Sequence, residues 1–162
     1  MIAGTERDSG LLNRFVRRIL HSYFFLTRGL TIGVRAIVRS TDGRFLLVRH
    51  TYTAGWHLPG GGVEKGQASE TALYNELLQE TGLRLLGRPS LHGIYHNDST
   101  SQRDHVIVYV CSVEGEPTKK PSSLEISEVG FFSIDDLPDD TDRGTIARLR
   151  EISEGIMPAR NW

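Results

Sequence analysis

The chain has almost no cysteine: one thiol, Cys111, in 162 residues. A lone cysteine excludes an intramolecular disulfide. Its place in the apolar run Val106–Val113 reads as a buried structural group. Charge of one sign is scarce as well. A formal net charge of -1 gives no global pull toward nucleic acid or an anionic surface, so no specific nucleic-acid partner is expected. Affinity for phosphate must then come from a local site or a bound cation. Long hydrophobic runs are missing too. The longest near the N-terminus, Tyr23–Leu26, falls far short of the ~18 apolar residues of a membrane span and of the ~7-residue core of a signal peptide. A cytoplasmic protein is the expectation. The length suits one domain with a genuine core, and no internal repeat or low-complexity linker interrupts it.

What is present falls into three segments: a helical extension over residues 1–28, a domain over 29–155 and a tail over 156–162. In the first, Leu11, Leu12, Phe15, Val16, Ile19, Leu20 and Tyr23 recur at helical spacing, with Arg14, Arg17, Arg18 and His21 on the other face. Such a helix packs on its own domain, forms a homodimer contact or attaches peripherally to an anionic membrane. Strand patterns follow over Thr31–Arg39 and Arg44–His50, joined by an Asp42-Gly43 turn as a hairpin, and then over the short piece Trp56–Leu58. The spacing predicts a helix from Ser69, as N-cap, to Thr81, with Gly82 as its left-handed stop. Further strands are expected over Leu83–Leu86, Leu91–His96, His105–Val113 and Val129–Phe132, a loop over Glu114–Ser127, and a last helix over Thr141–Ser153. Many strands around one strong internal helix suggest an α/β or α+β layered domain.

The chemistry lies in Gly60-Gly61-Gly62-Val63-Glu64-Lys65-Gly66-Gln67 and the helix behind it. Glycines let the backbone approach a ligand closely, and a loop leading into a helix can offer backbone groups to an anion or a metal. The cluster is neither a P-loop nor a dinucleotide fingerprint; alone it reads as a tight structural loop. The helix adds Glu76 and Glu80, four residues apart and therefore on one face, with Gln79 beside them. Like charges at that spacing repel unless something positive lies between them. Hard oxygen donors of this kind suit Mg²⁺ or Mn²⁺; a solvated surface pair is the alternative.

This segment resembles the Nudix box, G-x5-E-x7-R-E-U-x-E-E-x-G-U with U aliphatic. Gly61 takes its first place, Glu76 the central Glu, Leu77 the aliphatic position, Glu80 the last Glu, and Gly82-Leu83 the end. Asp42–Arg49 is similar to the hairpin that precedes the box in the family. Trp56-His57-Leu58-Pro59-Gly60-Gly61-Gly62 is similar to its lead-in, and Glu128–Pro138 to its usual ending. The resemblance runs from about Ile32 to Leu149. It implies a MutT-like Nudix fold, an α/β/α sandwich with a mixed central sheet. It also implies a divalent-cation-dependent pyrophosphohydrolase acting on a small nucleotide-like diphosphate.

Carried over position by position, Glu76 and Glu80 are the catalytic residues. Gly60 through its carbonyl, Glu76, Gln79 and Glu80 are the metal set, with Mg²⁺ or Mn²⁺ as the ion. Arg35, Arg49, Gly61 and Gly62 are candidates to contact the substrate, with Lys65 and Arg103 as further cations. Trp56, His57 and Tyr95 are aromatics for a base, or else core. An acid from outside the box is usual in the family, and Glu114, Glu125 and Glu128 are the nearest candidates. Departures from the pattern are equally specific. Gln67 stands at the first Glu position, Asn75 at the Arg position and Gln79 at the first of the paired Glu positions. An amide offers a metal a carbonyl oxygen but no charge. These changes imply weakened metal binding and reduced turnover, and they motivate a second reading: a Nudix domain that binds a nucleotide or a partner without hydrolysing it.

Overall fold

The computed structural model describes residues 29–117 and 125–162. Thr31–Trp162 forms one compact unit. The helix expected over Leu11–Leu26, with the membrane and dimer contacts attached to it, lies outside the described residues, as does stretch 118–124 of the expected loop.

β1 (Thr31–Val38) pairs parallel with β6 (Asp104–Cys111), which pairs antiparallel with β5 (Ser90–His96). The result is a mixed sheet in the order β1-β6-β5. β2 (Phe45–His50) lies between β3 (Trp56–His57) and β8 (Ile126–Phe132) in an antiparallel sheet. β4 (Arg84–Leu85) pairs with β7 (Val113–Glu114). Period-two alternation decides which face each side chain serves. Val34, Ala36 and Val38 of β1 join Leu46, Tyr109 and Cys111 in one core, closed by Ala72, Leu73 and Leu77 of α1 (Ser69–Thr81). Ile37 points the other way, into a second core with Phe45, Leu47, Val106, Val108 and Leu149 of α2 (Arg143–Glu154). Sheet surface buried on both faces between two helices is the α/β/α layering that the family resemblance implies. Cys111 sits in the first core, where burial pushes its thiol up to about 12, the mark of an inert structural group. No helix among the described residues is long and apolar enough to cross a membrane.

Three local expectations are corrected. The Asp42-Gly43 turn forms, with Gly43 at φ +90 and its N–H bonded to Ser40 O. β1 and β2 then meet only at the Arg39–Phe45 bridge and diverge into different sheets, because β1 pairs along its whole length with β6. Ser69 does not cap α1: Ala68 holds the N-cap position without a side-chain bond, and the Ser69 hydroxyl lies 2.7 Å from that of Tyr109. α2 begins at Arg143 rather than Thr141, since the Asp142 carboxylate accepts the Thr145 N–H and fixes the first turn there. Gly82, at φ 75, closes α1 as the pattern requires, donating to Leu78 O.

Candidate active site

The segment after β3 is laid along β1 by backbone bonds. Val34 N donates to Gly61 O, Ala36 N to Pro59 O and Val63 N to Ile32 O. Gly60 adopts φ +143, and a Cβ there would lie 2.0 Å from Val34 O, so glycine is required by both dihedral and space. At Gly61 the constraint has another source: a Cβ would lie 2.5 Å from the carboxyl carbon of Glu76. The loop therefore passes in direct contact with the first of the two helix carboxylates.

The second is bonded to the loop. Glu80 is only 6% exposed; its Oε2 accepts the Gly60 N–H at 2.8 Å, and its Oε1 lies 3.5 Å from Nε2 of His50. Burial pushes the Glu80 carboxyl up to about 8. The Gly60 N–H and Arg35 oppose that rise, and Glu76 and Glu125 add to it. Burial also drives His50 down to about 4, helped by Arg35 and His57. The Glu80–His50 contact has the spacing of an ion pair, but burial penalises both charges and leaves the pair neutral at neutral pH. Glu76, half-buried, is raised by burial, against Arg35 and with Glu125. Two carboxyls held up by desolvation, with Glu125 adding to both, lack a full counter-charge.

Arg35 supplies part of one. From the middle of β1 its Nη1 donates to the carbonyls of Leu58, at 3.3 Å, and of Gly60. One guanidinium thus straps the glycine loop and opposes the rise of both carboxyls. Arg49, another predicted cation, lies elsewhere. Arg49 pairs with Asp140 and, at 3.6 Å, with Glu128, and its guanidinium lies 5.4 Å from the Trp56 ring centroid. The Arg103 carbonyl accepts the Thr31 N–H. Of the three outside acids, Glu125 raises both Glu76 and Glu80, whereas Glu114 faces Arg84 across the β4–β7 pair and Glu128 faces Arg49. Gln79 is exposed. Gln67 serves the loop itself, its side-chain oxygen accepting the Glu64 N–H at 3.0 Å. Trp56 and Tyr95 are core residues, 6% and 0% exposed. Sequence reasoning passed over His50, because a histidine closing an apolar strand carries no signal of the buried carboxyl it will meet.

A cleft of about 390 Å³ opens beside the loop, lined by Arg35, His50, Tyr52, His57 and Gly60 to Gly62. An adjoining lobe of about 290 Å³ shares Arg35, Thr53, His57, Asn97, Thr100 and Val106 with it. The glycine loop touches both worlds: it lines the cleft and contacts Glu76 and Glu80. Among the described residues no three His, Cys, Asp or Glu side chains form a closed metal-binding group. What is present is two carboxylates plus the second lone pair of Gly60 O. That small set of hard oxygens fits Mg²⁺ or Mn²⁺, for Mg²⁺ characteristically keeps several waters and takes one or two carboxylates together with substrate phosphate oxygens. Gly61→Ala should leave the fold intact, since the three atoms nearest the added methyl all belong to the movable end of Glu76. Divalent-cation affinity should fall about 10–100-fold as that carboxylate is displaced; a thermal melt and a calorimetric Mn²⁺ titration check the two halves.

The chain matches the NUDIX domain over residues 29–151. It is 28% identical over 128 residues to a MutT-like protein of Streptomyces ambofaciens, covering 79% of this chain and 80% of that protein. It is 33% identical over 102 residues to an ADP-ribose pyrophosphatase of Methanocaldococcus jannaschii, covering 60% of this chain and 59% of that protein. Among solved structures, a MutT NUDIX hydrolase from Burkholderia pseudomallei superposes with a TM-score of 0.64 at 27% identity, over 76% of this chain and 98% of that one.

Proposed function

The chain belongs to the Nudix family, and from that premise we propose that it is a hydrolase cleaving the pyrophosphate bond of a nucleoside diphosphate derivative with Mg²⁺ or Mn²⁺. The observation that carries the reading is the apposition of Glu76 and Glu80 to a glycine loop that also lines the cleft. The ADP-ribose pyrophosphatase relative supports a pyrophosphate bond as the one cut.

Glu76, Glu80 and the Gly60 carbonyl would hold the cation, with Gln79 as an outer participant. When bound, it supplies Lewis acidity toward phosphorus and lowers the pKa of a coordinated water. The protein's own part is to orient and to balance charge. Glu80 must release its proton before it can act as an anionic ligand. Arg35 holds the loop carbonyls through Nη1, and it lines the cleft, where it is placed to pair with a diphosphate oxygen. Gly61 and Gly62 leave the cleft wall bare of side chains, so a phosphate can come close to the backbone. Arg49 lines a neighbouring hollow with Glu128 and Asp140; a phosphate would have to displace a carboxylate to reach it.

The test is incubation with a panel of nucleoside diphosphate derivatives and Mg²⁺ or Mn²⁺, read as release of nucleoside monophosphate. Release from at least one compound is expected. No release across the panel, with no cation binding by calorimetry, would overturn the enzyme reading. It would favour a non-hydrolysing binding domain, to which the amides Gln67, Asn75 and Gln79 already point. Gln79→Glu should tighten cation binding about fivefold, because a partly exposed charge near a cation contributes on the order of 1 kcal/mol. Unchanged binding would move the cation off this face of α1.

A further inference from the structure

Residues 156–162 read from sequence as a tail, yet the structure anchors them on several sides. His96 N donates to Arg160 O at 2.9 Å and Trp162 N to His96 O at 3.0 Å, extending the pairing of β5. Behind this, Glu151, 7% exposed, accepts from Tyr95, Arg148, the Ala159 N–H and His92 at 2.8, 2.8, 2.9 and 3.0 Å. Burial pushes its carboxyl up, but these donors bring it below its ordinary value. The anion holds Arg148, 2% exposed, which donates to Asn161 O at 3.0 Å and lies 3.9 Å from the Tyr95 centroid and 5.6 Å from the Trp162 ring. The indole rests on Gly144, where a Cβ would come within 2.1 Å of Nε1, and Tyr95 meets it edge-on at 6.0 Å. Trp162, half-buried, lines the second lobe with Arg35, His57, Asn97 and Thr145.

Arg35 lines both lobes of the cleft. A diphosphate bound at Arg35 and the glycine loop would send the rest of its molecule either to solvent or into the lobe that ends on Trp162. That lobe, about 290 Å³, lies just below the ~300–1,000 Å³ of ligand pockets and suits one ring system better than a whole dinucleotide. Trp162, packed against Arg148, Gly144 and Tyr95, gives it an aromatic wall, and Asn97 and Thr145 add neutral polar groups beside Arg35 and Asp142. We propose that Trp162 is a specificity-determining residue, the end wall against which the planar base of a nucleoside diphosphate derivative packs. This rests on the hydrolase reading above and names the part of the substrate that the second lobe takes.

The chain has two tryptophans, and Trp56 is 6% exposed in the core, so the emission difference between wild type and Trp162→Phe isolates Trp162. The probes are AMP, GMP, UMP and CMP, which carry no anhydride to cleave, and inorganic phosphate, all with Mg²⁺. At least one nucleotide should change Trp162 emission, and phosphate should not. Trp162→Ala should raise KM for the cleaved substrate about 10–100-fold with kcat within about threefold, a split that loss of folded protein would not give. Trp162→Phe, which keeps a ring, should retain most of the affinity and so covers the case in which the alanine variant does not fold. A substrate that is hydrolysed while no nucleotide alters Trp162 emission would overturn this assignment and leave the hydrolase reading standing. An emission change equally large with inorganic phosphate would overturn it as well. Neither hydrolysis nor nucleotide binding across the panel would sink both.

Discussion

Glu80→Gln should lower kcat/KM by about a thousandfold while leaving the metal-free protein at least as stable as the wild type. The amide matches the carboxyl in size and keeps an oxygen to accept the Gly60 N–H. It is also uncharged, as the buried carboxyl is at neutral pH. What it cannot do is become an anion. Losing one preorganised charge from a transition state costs on the order of 4 kcal/mol, which is about a thousandfold in rate. The same carboxyl sets a pH dependence. Its value rises from 4.5 to about 8 on folding, so the folded state binds the proton more tightly. The stability that this contributes is complete below pH 4.5 and is lost as the pH climbs through about 8. Metal-free wild type should therefore lose stability over that window relative to Glu80→Gln. Melting curves at about pH 5 and about pH 9 should show the gap in Tm widening in the variant's favour. Added Mn²⁺ should reverse the order, because a cation that binds only the folded wild type stabilises it by mass action. Parallel pH profiles would mean that the carboxyl is not desolvated as described.

Arg35→Gln should be the next most damaging change, with kcat/KM down about a hundredfold and stability down about 1–3 kcal/mol. The stability loss follows from two carbonyls, Leu58 O and Gly60 O, that share one guanidinium nitrogen and lose it together. The rate loss follows from the removal of the charge that opposes the raised values of Glu76 and Glu80. Arg35→Lys keeps a point charge but loses the planar fork, so it should restore stability less well than rate. A fall in Tm with an unchanged rate would confine Arg35 to bracing the loop.

Much of this architecture was legible in the sequence because it rests on local periodicity. Strand patterns marked β1 and β6, and the four-residue spacing of Glu76 and Glu80 put both on one face of α1. The glycine cluster marked where the backbone would run close to them. What stayed hidden depends on tertiary partners. Arg35 and Arg49 look alike in sequence, each following a valine in a largely apolar strand. One meets loop carbonyls, while the other is neutralised by Asp140 and Glu128. Ser69 and Asp142 are both good caps on paper, and only Asp142 has an N–H in reach. Trp162 follows a segment with no periodicity, so nothing local announced that Arg148 and Gly144 would seat it beside the cleft. For Trp56 and Tyr95 the sequence leaves base contact or core packing open, and the core takes both.

Calorimetric titration of Mn²⁺ into the wild type, Glu76→Gln and Glu80→Gln bears most directly on the claim that these two carboxylates and the glycine loop hold a divalent cation. The wild type should bind in the millimolar range or tighter, and each variant at least about tenfold more weakly. Identical binding by all three proteins, or none by the wild type, would contradict it.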